Sequence, residues 1–216
     1  MGILEGAIIG GGIGLIVSLA LLLKRSAGRK KLVTSLANEG REVARERLDA
    51  THPALGKVPL SKILQQRERM AGLALVGDVD ALREEIQAHD GPLTAHAQVD
   101  AIAYLALVVR GEVEEGSQGL EALAARMEQE GGRGLMLVKR KVRALAELAK
   151  AVAGTPLIPA QRLRVESVAG EGGLVQLLVW QALGLALRAE GKVAQADGMA
   201  NKVRRVTRAY EGEGSP

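Results

Sequence analysis

Side chains able to move protons, hold metals or attack electrophiles are present in this chain, but few stand at spacings that chemistry can use. Cysteine is absent from all 216 residues, which removes disulfides, Cys-based zinc sites, iron–sulfur clusters and thiol nucleophiles. The histidines His52, His89 and His96 lack the HExxH spacing that would put two imidazoles on one helix face around zinc. They read as ordinary surface or core residues. Asp78, Asp80, Glu84 and Glu85 gather carboxylates in one short stretch. Asp78 directly follows Gly77, however, and is expected to be a helix N-cap, with the acids behind it favoured by the helix dipole. No serine or threonine sits in the Gly-x-Ser-x-Gly context of a nucleophile elbow, and no Walker A sequence is present to cradle phosphate. Lys139-Arg140-Lys141-Val142-Arg143 is a basic run inside a helical pattern and reads as a solvated face. With Trp180, Tyr104 and Tyr210 as the whole aromatic set, little is available to stack on bases, so nucleic-acid binding is not expected. These residues predict no catalytic centre, no metal site and no cofactor.

The elements that carry these residues fall into two unlike parts. Ile3–Leu23 is a run of 21 residues with a single charge, Glu5; as a helix at about 1.5 Å per residue it is about 31 Å long, the thickness of a bilayer's hydrocarbon core. Lys24, Arg25, Arg29, Lys30 and Lys31 follow immediately, and no basic side chain precedes. The positive-inside rule then predicts an outside N-terminus and a cytoplasmic C-terminal domain, as in a single-pass protein of a bacterial inner membrane. The same cations form a basic cluster at the membrane surface able to attract anionic lipid. A cleaved signal peptide would carry its cations before the apolar run, and a myristoylation signal would need Ser or Thr where Gly6 stands. Ile8-Ile9-Gly10-Gly11-Gly12-Ile13-Gly14 resembles the opening of a dinucleotide-binding turn, but Leu15 occupies the third fingerprint position and no run of parallel strands follows. Gly6, Gly10, Gly14 and Ser18, with Gly2 ahead of them, instead recur every fourth residue along one stripe, the spacing that lets two membrane helices approach closely.

The rest of the chain reads as all-α. Ala, Leu, Glu, Arg and Lys abound, whereas β-branched and aromatic runs of strand length are scarce. A basic juxtamembrane helix and linker is expected over residues 24–59, ending in the breakers Thr51-His52-Pro53 and Gly56-Lys57-Val58-Pro59. Over 60–210, helix, Gly-polar turn and helix alternate about Gly77-Asp78, Gly111-Glu112, Gly154-Thr155 and Gly191-Lys192, at spacings of 34, 43 and 37 residues. About four helical hairpins are predicted. The Gly-rich end, 211–216, is expected to be a disordered tail.

In Trp180-Gln181-Ala182-Leu183-Gly184 and onward through Leu187, Gly191 and Ala196, the chain resembles the tetratricopeptide (TPR) repeat family. Leu107, Gly116 and Leu120 hold three motif positions around Gly111; Leu73, Leu82 and Ile86 do so around Gly77 with apolar residues alone. The unit around Gly154 departs in length, its second helix delayed by Pro156 and Pro159. Small residues such as Gly184 and Ala196 are expected where paired helices cross. The resemblance implies a concave partner groove made by the first helix of each hairpin, with Arg67, Gln98, Lys141, Gln181 and Arg188 as polar members. It also implies Leu64, Leu105, Leu148, Leu178 and Leu185 as apolar contacts, and the cations favour a partner protein with an acidic segment. In topology the chain looks like bacterial lipopolysaccharide-assembly regulators with an N-terminal anchor and cytoplasmic TPR units, but it lacks their cysteine-based metal module. The expected function is therefore a membrane-anchored cytoplasmic interaction scaffold and not an enzyme; the alternative is a structural subunit of a larger membrane complex, packed through its glycine-striped helix.

Overall fold

The structure is a computed structural model that describes residues 39, 41–50, 59–88, 93–130, 135–170 and 173–211. The described residues are all-α, with nine helices and no strand. They are α1 (Arg41–Ala50), α2 (Pro59–Val76), α3 (Val79–Gln87), α4 (Leu93–Val109), α5 (Val113–Gln129), α6 (Met136–Val152), α7 (Pro159–Ala169), α8 (Gly173–Ala189) and α9 (Val193–Glu211). No helix among the described residues is long and apolar enough to cross a membrane. The expected span at 3–23, the linker breakers at 51–58 and the tail beyond Glu211 lie outside the described residues.

Four hairpins, α2–α3, α4–α5, α6–α7 and α8–α9, turn where the sequence places Gly77, Gly111, Gly154 and Gly191. Each glycine has a positive φ, 81°, 101°, 105° and 74° in turn, a backbone state that costs a residue with a Cβ. Each also closes the preceding helix in the same way. The residue after the glycine donates its N–H to the carbonyl five positions back (Asp78 to Leu73, Glu112 to Leu107, Thr155 to Lys150, Lys192 to Leu187), and the glycine donates to the carbonyl three back. This is the Schellman cap, which satisfies carbonyls that the helix end would orphan. The next helix then starts at once in three cases; behind Gly154 it waits for Pro159, whose missing N–H suits the first helical position.

The first helices of the hairpins form the inner layer. α4 and α8 are apolar on most of their circumference and are accordingly buried on nearly every side. α2 packs on α4, α4 on α6 and α6 on α8, while α3, α5, α7 and α9 lie outside, α3, α5 and α7 each leaning also on the next inner helix. The core is Leu, Ala, Val and Met: Leu73, Leu105, Leu107, Leu148 and Leu178 are fully buried, each Leu contributing about 1.5–3 kcal/mol of transfer free energy.

The row of inner helices does not stay open. α8 also packs on α2 and α4, so the last hairpin folds back onto the first. One hydrogen bond marks the closure: Glu68 Oε2 in α2 accepts from the Leu174 N–H in the first turn of α8 at 3.0 Å. Gly173 beside it, at φ +73°, leaves room for the carboxylate; a Cβ there would stand 2.2 Å from Glu68 Oε1. A carboxylate at a helix N-terminus satisfies an orphan donor and complements the dipole. On the outer side of α2, α1 is seated by Leu48, whose Cδ1 would meet a Cβ on Gly72 at 2.6 Å, and by an ion pair between Arg45 and Asp78.

Candidate functional site

Closure of the inner layer decides what becomes of the expected groove. Leu105, Leu148 and Leu178 are buried among the inner helices, and Leu64 lies in the first half of α2. Arg67 is interior too, 5% exposed, and its Nη1 donates to Gln98 Oε1 at 3.3 Å across the α2–α4 contact. These two residues, expected to line a groove, face each other. Lys141 in α6 and Gln181 in α8 are half-buried. Arg188, 59% exposed at its side chain, pairs with Asp197 of α9 at 3.3 Å. The glycine stripe Gly6, Gly10, Gly14 and Ser18 and the basic cluster Lys24, Arg25, Arg29, Lys30 and Lys31 fall outside the described residues.

One strip of α8 remains open. Gln181, Leu185 and Arg188 stand at i, i+4 and i+7 on α8, one helical face. On the N-terminal half of that helix the corresponding residues Leu174, Leu177 and Leu178 are buried, at the end where α2 reaches α8 through Glu68. Towards the C-terminus the cover ends, and Leu185 is 37% exposed. The result is a short surface with an amide, an apolar side chain and a cation in line. Its edge is firm: Lys202 of α9 lies 6.0 Å from the centroid of the half-buried Trp180 ring, a cation–π distance.

Other polar groups hold the scaffold together. Asp78 caps α3 as expected, its Oδ1 accepting from the Ala81 N–H at 3.0 Å. Glu85 pairs with Arg69 at 2.8 Å. Arg83 reaches Glu115 at 2.6 Å, Glu112 at 3.5 Å and Asp80 at 3.6 Å, clamping the first two outer helices together. The hydrogen bond from Arg83 holds the Glu115 carboxyl below the ordinary glutamate range. Glu190 is lowered likewise, first by Lys192, whose Nζ lies 2.6 Å away, and also by the Leu157 N–H at 3.2 Å. Glu190 thereby ties the long connection before α7 to the α8–α9 turn. Among the described residues no group of three His, Asp or Glu side chains is placed to hold a metal ion.

Sequence reasoning missed two residues: Met136 and Leu137, 53% and 69% exposed in the first turn of α6. The available signal was their position directly before the basic run 139–143. No family model, curated protein or solved structure matches this chain.

Proposed function

We propose that this chain is a membrane-tethered interaction protein, irregularly TPR-like, whose folded domain presents the Gln181–Leu185–Arg188 strip to a partner protein. The strip carries the reading, because there the last inner helix exposes an apolar side chain between an amide and a cation. An apolar contact flanked by polar groups is the usual composition of a small recognition surface. The Arg188–Asp197 pair is a surface pair, worth about 0–1 kcal/mol, so an incoming carboxylate can take over Arg188 at little cost. That favours an acidic segment in the partner. Tethering follows from the apolar run Ile3–Leu23 and the cations behind it, with the domain on the cytoplasmic side.

Purification of the full chain from native membranes in mild detergent tests this reading. Wild type should retain a stoichiometric partner, and the pair Leu185→Glu with Arg188→Glu should lose it while keeping its helical circular dichroism. Full partner yield from the double variant refutes the strip. If the partner is instead lost from Gly10→Ile, the chain is held in its complex through the membrane helix, as a structural subunit would be.

A further inference from the structure

The first three turns of α6 join two features that rarely share a solvated face. Met136 and Leu137 are 53% and 69% exposed, and Lys139, Arg140, Lys141 and Arg143 follow without an acid before Glu147, which is held by Arg164 at 2.8 Å. Among the described residues, the side chains of Lys139, Arg140 and Arg143 make no ion pair or hydrogen bond. Met136, Arg140 and Arg143 stand at i, i+4 and i+7 and share one exposed strip, with Leu137 beside it. Neither feature helps the fold. Exposed Met and Leu gain nothing by burial, and the first turn of α6 carries no acid to complement its dipole. By contrast α3 and α5 open with Asp80 and with Glu114 and Glu115, as the dipole prefers. Glu128 and Glu130 at the end of α5 are the nearest acids in sequence before the run, and the four cations outnumber them.

We propose that this face docks on an anionic membrane surface, Met136 and Leu137 entering the headgroup boundary while Lys139, Arg140 and Arg143 meet lipid phosphates. Charge complementarity selects the occupant: apolar side chains bordered by cations match the polarity profile of an interface of anionic lipid. The inference rests on the membrane tether, which holds the domain near a bilayer and turns a weak contact into an intramolecular one. The α6 face thus fixes the orientation of the domain on the membrane, leaving the strip on α8 to its partner.

The chain has no cysteine, so single labels can be placed without background. Leu137→Cys, or Leu163→Cys as a control that is 68% exposed on α7, carries an environment-sensitive dye in the full chain reconstituted into phosphatidylcholine vesicles with or without phosphatidylglycerol. Nitroxide-bearing lipid should quench the dye at 137 in vesicles with phosphatidylglycerol and leave 163 unquenched. Arg140→Glu with Arg143→Glu should bring quenching at 137 down to the level at 163, and raised salt should weaken it. Equal quenching at 137 without phosphatidylglycerol overturns the proposal, because the contact then does not depend on anionic lipid. A chain that floats with vesicles while 137 stays unquenched overturns the docking alone. A chain that fails to float overturns the tether and the docking together.

Discussion

Gly116 offers a quantitative test of how the hairpins are built. It lies in α5 against α4, and a Cβ there would stand 2.5 Å from the Tyr104 carbonyl oxygen, 2.6 Å from Val108 Cγ2 and 2.9 Å from the Val108 nitrogen. Two of these are backbone atoms and cannot rotate away, so Gly116→Ala must push α5 off α4. Overpacking of this kind costs about 3 kcal/mol at the upper end of the usual range, and the better helix propensity of Ala returns about 1 kcal/mol. A net loss of about 2 kcal/mol lowers the melting temperature of a domain this size by about 4–8 °C. Gly198 in α9 supplies the control, since nothing lies within 4 Å of its added Cβ. Gly198→Ala should gain about 1 kcal/mol from propensity alone. Thermal melts of both variants of the full chain, followed by helical circular dichroism in one detergent, give the comparison. A Gly116→Ala melting point at or above wild type would refute the close crossing of α4 and α5.

Other perturbations separate interior from surface roles. Arg67→Glu puts an unmatched carboxylate in the interior beside Gln98 and should cost about 3–5 kcal/mol, whereas Arg188→Glu should cost about 1 kcal/mol or less; equal losses in a denaturant titration would contradict the closed inner layer. Glu115 and Glu190 have folded pKa values below the ordinary glutamate range, so their contribution is complete above the unfolded pKa and is lost as pH falls through the folded value. Arg83→Gln should therefore flatten the acid limb of a stability–pH profile, and an unchanged limb would remove Glu115 from that account. A reporter active only in the cytoplasm and fused after Pro216 should be active; neutralising Lys24, Arg25, Arg29, Lys30 and Lys31 should weaken that preference, and activity of an exported-side reporter would reverse the topology. Gly10→Ile should reduce association in a membrane dimerisation assay by blocking close approach along the glycine stripe, and association equal to wild type would leave the stripe without a packing role.

Turn chemistry and helix content were legible in the sequence because both are local. Gly77, Gly111, Gly154 and Gly191 each sit where a left-handed residue ends one helix, and Asp78 caps the helix that follows Gly77, so the turns could be placed from local sequence. Which face of the inner helices meets solvent is not local. Leu148 and Leu178 have the same type and spacing whether they line a groove or fill a core, and the choice falls on contacts more than a hundred residues apart, such as Glu68 with Leu174. The small residue expected to bring paired helices together was Gly184, yet a Cβ there would sit 3.7 Å from the Ala196 carbonyl oxygen, an ordinary contact. The tighter crossing is at Gly116. Arg67 illustrates a further limit: a charged residue in a polar-looking pattern reads as surface, and only its pairing with Gln98 shows it to be interior.

Site-specific photo-crosslinking in intact membranes decides whether α8 carries the partner surface. A benzophenone amino acid placed at 181, 185 or 188 of the full chain should yield one shared adduct with a protein partner, suppressed by the Arg188→Glu change, and none from position 163, which is 68% exposed on α7. An adduct of the same mass from 163, or no adduct from any of the three α8 positions while the intact complex co-purifies, would contradict a partner surface on α8.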